Sequence, residues 1–309
     1  MNNVSKIDFV IPLCKNNIFF KTVLQGILQL YQPNKIYIIT NIISINELKK
    51  EIIIWGGENI EEILVFLDED IFFVEKYNLL KCDIEKNYIF DESLSREFGW
   101  WYQQILKLGA VYQIPHLSDP FVIWDGDLIP IIKWELKPNL NCTYYKFAIL
   151  QEKSKSEWNK EQYALTTMEL IGLEAVNPNE GTFVPHHFIF HHKVIKSMIE
   201  HIENLHNKNN NNNNKSWIEL IIQLSNKHYR FSEYKCVATY MNTFYKELLQ
   251  YHDFHLYGKT GIRYRDSKDF VDKITSEYEY KNGISYSDFI KFIKKHFSEI
   301  PSYVQIEDV

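Results

Sequence analysis

The sequence is poor in cysteine, and its cysteines form no recognisable metal or redox motif. There are 4 in 309 residues, and they are scattered along the chain without a CxxC pair. A structural zinc site is therefore not expected. Scattered cysteines in a chain of this length are more typical of reduced, buried thiols than of a disulfide framework.

An excess of positive charge and a long apolar run are also missing. The chain has 34 lysines and arginines against 40 aspartates and glutamates, for a net charge of −6, which argues against a nucleic-acid partner. No stretch of about 20 apolar residues occurs, so we expect no membrane span. The N-terminal segment lacks the long apolar core of a signal peptide, and we therefore expect a cytoplasmic protein.

The chain does contain enough apolar material for a large core, because 45% of its residues are hydrophobic and 15% are aromatic. Apolar runs alternate with helical spacing in the first half, which predicts a sheet with crossover helices. Strands are predicted at 7–13, 35–40, 63–67 and 121–124, and helices at 19–31, 44–51 and 98–112.

The second half contains fewer strand patterns and one run of asparagines. It predicts strands at 144–149 and 183–190 and helices at 193–205, 216–225 and 233–250, with a disordered loop at about 206–215 around the asparagines. We expect one α/β domain over 1–265, with a nucleotide half and an acceptor half. A helical extension over 266–309 is expected to pack on its outside.

The most informative motif is Asp125-Gly126-Asp127, directly after the apolar run FVIW. Side chains two residues apart in an extended chain face the same way, so both carboxylates can share a hard divalent cation. Ligands of doubly wound sheets bind beyond the carboxyl ends of the strands, where these acids would lie. The alternative is a simple hairpin, because Asp-Gly between apolar runs is a strong turn signal.

Five segments in a fixed order strengthen the metal hypothesis. They are VIPLC, GWWYQQILKL, IWDGD, PHHFIFHHKVI and FSEYKCVATYM, which span residues 10–241. Together they resemble glycosyltransferases of the GT-A type with a DxD motif, in particular a poorly characterised kind from bacterial polysaccharide clusters and protists. The resemblance implies a GT-A-like, Rossmann-like mixed sheet flanked by helices. It also implies Mn²⁺ or Mg²⁺, a nucleotide-sugar donor such as a UDP-sugar, and a glycan or glycoprotein acceptor.

The resemblance also implies roles for individual residues. Asp125 and Asp127 would bind the cation, and Asp125 would also assist at the donor ribose. Pro12 and Lys15 would lie near the nucleotide, although Lys15 is equally well explained as a surface lysine. Glu233, at a helix start after Ser232, would be the general base of an inverting transfer. The simpler explanation for Glu233 is an anion stabilised by the helix dipole.

The helix at 98–112 carries unusual polar residues beside paired tryptophans. Trp101 and Gln104 share one face with helical spacing, and Lys107 lies on the neighbouring face. Because buried amides need hydrogen-bond partners, we favour donor binding by Trp101, Gln104 and Lys107. A polar face wetted by solvent is the alternative.

Histidines and arginines elsewhere complete the candidate site. Adjacent strand residues face opposite sides, so we expect His186 or His187 to face the acceptor. GT-A enzymes often complete the metal shell with a late histidine, for which His252 and His255 are the candidates. Arg263 suits bidentate contact with the donor diphosphate.

Two other classes of function remain open at this point. One is a metal-dependent nucleotidyltransferase or phosphohydrolase on a similar sheet, which would release nucleoside monophosphate or orthophosphate. The other is a catalytically inactive carbohydrate-binding protein, which would bind without turnover. The intact acids Asp125, Asp127 and Glu233 favour an enzyme.

Overall fold

The computed structural model describes residues 6–55, 60–87, 98–136, 145–147, 157–176, 183–184, 186–208, 214–228, 231–251, 254–264 and 267–307. The strands are β1 Asp8–Pro12, β2 Ile36–Thr40, β3 Leu64–Asp68, β4 Phe121–Trp124, β5 Leu128–Pro130, β6 Tyr145–Phe147, β7 His187–Phe190, β8 Leu249–Tyr251, β9 Ile262–Tyr264 and β10 Tyr303–Ile306. The helices are α1 Phe20–Tyr31, α2 Ile42–Trp55, α3 Ile60–Ile63, α4 Val74–Tyr77, α5 Lys81–Lys86, α6 Phe98–Gln113, α7 Glu157–Ile171, α8 His192–Asn207, α9 Trp217–His228, α10 Glu233–Phe244, α11 Lys268–Glu277 and α12 Tyr286–His296.

A five-stranded sheet forms the centre, in the order β3-β2-β1-β4-β7. The first four strands are parallel, and β7 runs antiparallel to β4. The residues of β1, β2, β4 and β7 are buried, as expected where helices cover both faces of a sheet, whereas the edge strand β3 is mostly half-buried. The prediction of an α/β fold with a mixed sheet flanked by helices is confirmed.

Apolar residues of the central strands alternate between two cores. Val10 faces one core, which is built mainly with α6, α8, α9 and α10. Phe9 and Ile11 face the other, which contains residues of α1, α11 and α12. This alternation follows from the two-residue period of a strand.

The C-terminal part contains more than the helices that the sequence predicted. Strand β10 lies between β5 and β9 in a second, three-stranded sheet. It runs antiparallel to β5 and parallel to β9. Because β5 pairs with β10, the segment from β4 to β5 is not the hairpin that was the alternative explanation of the Asp-Gly motif. The domain boundary at residue 265 stays a prediction.

Two predicted elements have different bounds. The predicted helix at 233–250 ends at Phe244, and a 3-10 turn and strand β8 follow it. The strand predicted at 183–190 begins at His187. Most of the asparagine run, 209–213, lies outside the described residues. Among the described residues, no helix combines the length and apolar character needed to cross a bilayer.

Candidate active site

A cavity of about 480 Å³ opens at the edge of the central sheet, where β1 and β4 end and β7 begins. The order of the strands reverses between β1 and β4, and such a switch point is where doubly wound sheets bind ligands. The volume is within the usual range for small-molecule sites. The cavity is lined by Pro12, Leu13, Cys14, Lys15, Asn17, Trp100, Gln103, Asp125, Gly126, Asp127, His186, Arg263, Gln305, Ile306 and Glu307.

The two acids of the motif belong to a turn that is fixed by its backbone. The Asp125 amide donates to the His186 carbonyl at 2.8 Å, and the Leu128 amide donates to the Asp125 carbonyl at 3.1 Å. Gly126 lies against the end of β1, where an added Cβ would be 2.9 Å from Leu13 Cδ1. Glycine at this position therefore allows the acids to approach β1.

Both carboxylate oxygens of Asp125 are engaged by protein groups. Oδ1 lies 2.6 Å from the Lys107 ammonium and accepts a hydrogen bond from the Tyr234 hydroxyl at 2.9 Å. Oδ2 lies 2.9 Å from His186 Nδ1. Burial by itself would raise the pKa of Asp125, but the charges of Lys107 and His186 lower it below its ordinary value. Asp125 is therefore an ionised, firmly held carboxylate.

Lys107 is the partner of a second buried carboxylate. Its ammonium lies 2.6 Å from Glu233 Oε1, and each of the two side chains is 3% exposed. Burial would lower the pKa of Lys107, but Asp125 and Glu233 raise it. Burial raises the pKa of Glu233, and Lys107 opposes that shift. One ammonium thus balances two carboxylates in the interior.

Three of the residues predicted to act on substrates lie away from the cavity wall. Neither Lys107 nor Glu233 lines the cavity, so the donor contact of Lys107 and the basic role of Glu233 stay predictions. Gln104 is buried as well, and its Oε1 accepts the Glu233 backbone amide at 3.2 Å. With Ser232, which caps α10 through the Lys235 amide, Gln104 satisfies the first amides of the helix.

Asp127, by contrast, has one carboxylate oxygen that receives no hydrogen bond from the described residues. Its Oδ2 accepts from Gln305 Nε2 at 3.1 Å, whereas its Oδ1 is shielded from solvent and has no hydrogen-bond partner among the described residues. Burial, followed by the charge of Asp125, raises the pKa of Asp127 to about 6. An unpaired carboxylate oxygen suits a hard divalent cation. No group of three or more His, Cys, Asp or Glu residues suited to a metal occurs in the described part.

The C-terminal strand supplies site residues that sequence reasoning missed. Gln305 and Glu307 line the cavity, and Glu307 Oε1 accepts from Arg263 Nε at 2.7 Å. The signal was available, because two polar residues two apart in the apolar segment YVQIE share one face of a strand. It is the same spacing that singled out Asp125 and Asp127.

The remaining predicted residues divide into two groups. Pro12, Lys15, His186 and Arg263 line the cavity, as do Asp125 and Asp127. Trp101, His187 and His255 do not. His252 lies outside the described residues.

Trp101 and His187 do not line the cavity because they are buried in the core. Trp101 is 1% exposed and stacks on Phe231, 5.8 Å between ring centroids. His187 is 0% exposed, and its ring lies 4.0 Å from that of Trp134 rather than at the cavity wall. The tryptophan that does line the cavity is Trp100, one residue before the predicted one.

Similarities to known proteins are found among solved structures. No protein-family model and no curated protein matches the chain. Among solved structures, it is similar to apo mouse xyloside xylosyltransferase 1, with 10% identity, a TM-score of 0.46 and 97% of each chain covered. It is also similar to an active-site mutant of LgtC (8% identity, TM-score 0.47, 98% of this chain and 88% of that chain). A third is the apo bifunctional glycosyltransferase WbbM, with 12% identity and a TM-score of 0.42. That similarity covers 100% of this chain and 47% of the WbbM chain.

Proposed function

We propose that this chain is a metal-dependent glycosyltransferase, which moves a sugar from a nucleotide-sugar, such as a UDP-sugar, to a hydroxyl of a glycan or glycoconjugate. The observation that carries the proposal is the Asp127 Oδ1, which has no hydrogen-bond partner in the described part of the chain and belongs to a residue that lines the cavity at the switch point of the sheet. A Mn²⁺ or Mg²⁺ ion held by Asp127 would neutralise the charge that develops on a leaving nucleoside diphosphate.

The cavity also offers the other groups that such a donor needs. Lys15 and Arg263 line it and can bind phosphate oxygens. Trp100 also lines the cavity and offers an aromatic surface to a base or a sugar ring. Pro12 and Leu13 bring the end of β1 to the cavity. We assign these residues to the donor.

The acceptor is assigned to the side of the cavity that carries His186. Its Nδ1 contacts Asp125, which fixes the ring at the cavity wall. Because Glu233 is enclosed with Lys107, the proposal does not depend on Glu233 as a base and covers an inverting or a retaining transfer. Asp125 serves as a positioning residue, since its oxygens are already engaged by protein groups.

The experiment is calorimetry of UDP binding with Mn²⁺ and with EDTA. We expect Mn²⁺ to tighten UDP binding to the wild type. In Asp127→Asn that gain should be lost, with an affinity drop on the order of tenfold or more. Asp70→Asn is the matched control, since Asp70 follows β3 at the edge of the same sheet and is exposed. Equal Mn²⁺-dependent affinity in wild type and Asp127→Asn would contradict the assignment.

Turnover separates the proposal from its alternatives. With UDP-sugars and hydroxyl acceptors, a glycosyltransferase releases UDP in step with formation of a glycosidic bond. Release of UMP or orthophosphate without an acceptor would instead identify a nucleotidyltransferase or phosphohydrolase. Tight Mn²⁺-dependent binding without any product would identify a carbohydrate-binding protein of the same fold.

A further inference from the structure

Glu307 lies directly after β10 and lines the same cavity as Asp127. One amide nitrogen connects the two carboxylates. Gln305 Nε2 is 3.1 Å from Asp127 Oδ2 and 3.3 Å from Glu307 Oε1. Two carboxylates that share one donor converge on the same part of the cavity, and the negative charge of Glu307 contributes to the raised pKa of Asp127. The structure therefore brings together a pair of acids that lie far apart in the sequence.

The other candidate pair, Asp125 and Asp127, is less suited to sharing an ion. Asp125 already has an ammonium, a hydroxyl and an imidazole on its two oxygens. A cation that took either oxygen would have to displace one of these buried contacts, and breaking a buried ion pair is costly. Glu307 is less constrained, because its side chain is 24% exposed.

The contacts of Glu307 also leave room for a ligand. Among the described residues, its hydrogen bonds from Arg263 and Gln305 all end on Oε1. Oε2 is not part of these contacts. Rotating the Gln305 amide by half a turn would present its oxygen, rather than its nitrogen, to an ion between the carboxylates. Carboxylate and amide oxygens are ligands that Mg²⁺ and Mn²⁺ accept.

We propose that Glu307, with Asp127, forms the carboxylate pair that holds the divalent cation, and that Gln305 positions the two. Asp125 then supports the turn without binding the ion. This inference rests on the proposed function, because it names a further ligand of the cation assigned there. It also gives Arg263 a second role, since the residue that contacts the donor phosphates would hold a metal ligand as well.

The test is the affinity for Mn²⁺ itself, measured on the full chain from the electron paramagnetic resonance signal of free Mn²⁺. The titrations are made without nucleotide and with saturating UDP. We expect Glu307→Gln to weaken Mn²⁺ binding on the order of tenfold or more. Glu299→Gln is the matched control, because Glu299 is exposed in the segment before β10, and its affinity should stay within about twofold of wild type. Melting curves establish that each variant is folded.

Arg263→Ala distinguishes a metal ligand from a mere partner of Arg263. It removes a positive charge beside Glu307, so the proposal predicts that Mn²⁺ binding without nucleotide is retained or tightened, while UDP binding in EDTA weakens.

If Glu307→Gln keeps the Mn²⁺ affinity and changes only UDP binding, Glu307 only holds Arg263 and the inference is overturned. In that case Asp127→Asn still loses Mn²⁺, and the proposed function survives. If wild type binds no Mn²⁺ even with UDP, both fail.

Discussion

The Lys107 ammonium lies 2.6 Å from Asp125 Oδ1, inside the protein, where the Lys107 side chain is 3% exposed. The contact joins α6 to the turn after β4. A third element is attached through Glu233, the first residue of α10, also at 2.6 Å. The position of the motif acids thus depends on a charge that is buried behind the cavity wall.

We expect Lys107→Met to be among the most destabilising single changes in the chain. It leaves Glu233 buried without a counter-charge and Asp125 with His186 alone, and breaking a buried pair in this way costs about 3–5 kcal/mol. Lys50→Met, on the exposed face of α2, is the control and should change stability by less than about 0.5 kcal/mol. Urea unfolding measures both. Equal midpoints for the two variants would show that the pair contributes no stability.

Glu233→Gln should be tolerated far better. Lys107 would keep Asp125 as its counter-ion, and an amide can still accept from the ammonium. Sugar transfer should therefore stay within about tenfold of wild type, whereas loss of a general base typically costs about 10²–10⁴-fold. Initial rates at saturating donor and acceptor decide between the two. A loss in the larger range, with UDP affinity and melting temperature unchanged, would restore the catalytic role.

The raised pKa of Asp127 predicts a pH dependence with a defined sign. A carboxyl whose pKa is about 6 in the folded protein and about 3.9 when unfolded stabilises the fold fully below pH 3.9, and this contribution is lost as the pH rises through 6. Without metal, Asp127→Asn should therefore melt no lower than wild type at about pH 7.5.

Protons should also compete with the cation at Asp127. We expect the Mn²⁺ affinity of wild type to be constant above about pH 7 and to fall on the order of tenfold from there to pH 5, because the ligand is increasingly protonated. Calorimetry across this range, with the same protein in each buffer, measures the change. An affinity that is flat down to pH 5 would be inconsistent with a titrating ligand at Asp127.

The adjacent tryptophans predict opposite phenotypes. Trp100→Ala removes an aromatic wall of the cavity, so donor affinity should fall while the melting temperature changes little. Trp101→Ala empties a core position stacked on Phe231, which typically costs about 3–5 kcal/mol. Calorimetry and thermal melting of both variants test this. A loss of donor affinity confined to Trp101→Ala would reverse our assignment.

The sequence predicted the sheet, and the position of Asp125 and Asp127 at a cavity, because these depend on local patterns. The apolar runs of β1, β2 and β4 identify buried strands. The acids that follow β4 then had to lie at the edge where ligands bind. Asp127 in particular follows from spacing alone, since the direction of side chains in an extended segment is fixed by the backbone.

The partners of those acids could not be predicted in the same way. Whether Lys107 faces solvent, a ligand or a carboxylate depends on the rotation of α6 about its axis and on what packs against it. The same rotation decides which tryptophan lines the cavity. The sequence predicted Trp101, and the structure has Trp100 there. The same holds for Glu233. The local sequence of an acid at a helix start is the same whether its carboxylate faces a substrate or a buried lysine.

The position of β10 between β5 and β9 has a consequence for biosynthesis. A nascent chain that has left the ribosome as far as β5 already carries Asp127, but neither Gln305 nor Glu307. Segments emerging early can begin to fold during synthesis, yet this chain would do so with one wall of its cavity missing. Affinity for the cation should then arise late in translation, when β10 docks, so that a partly made chain would not capture metal or donor.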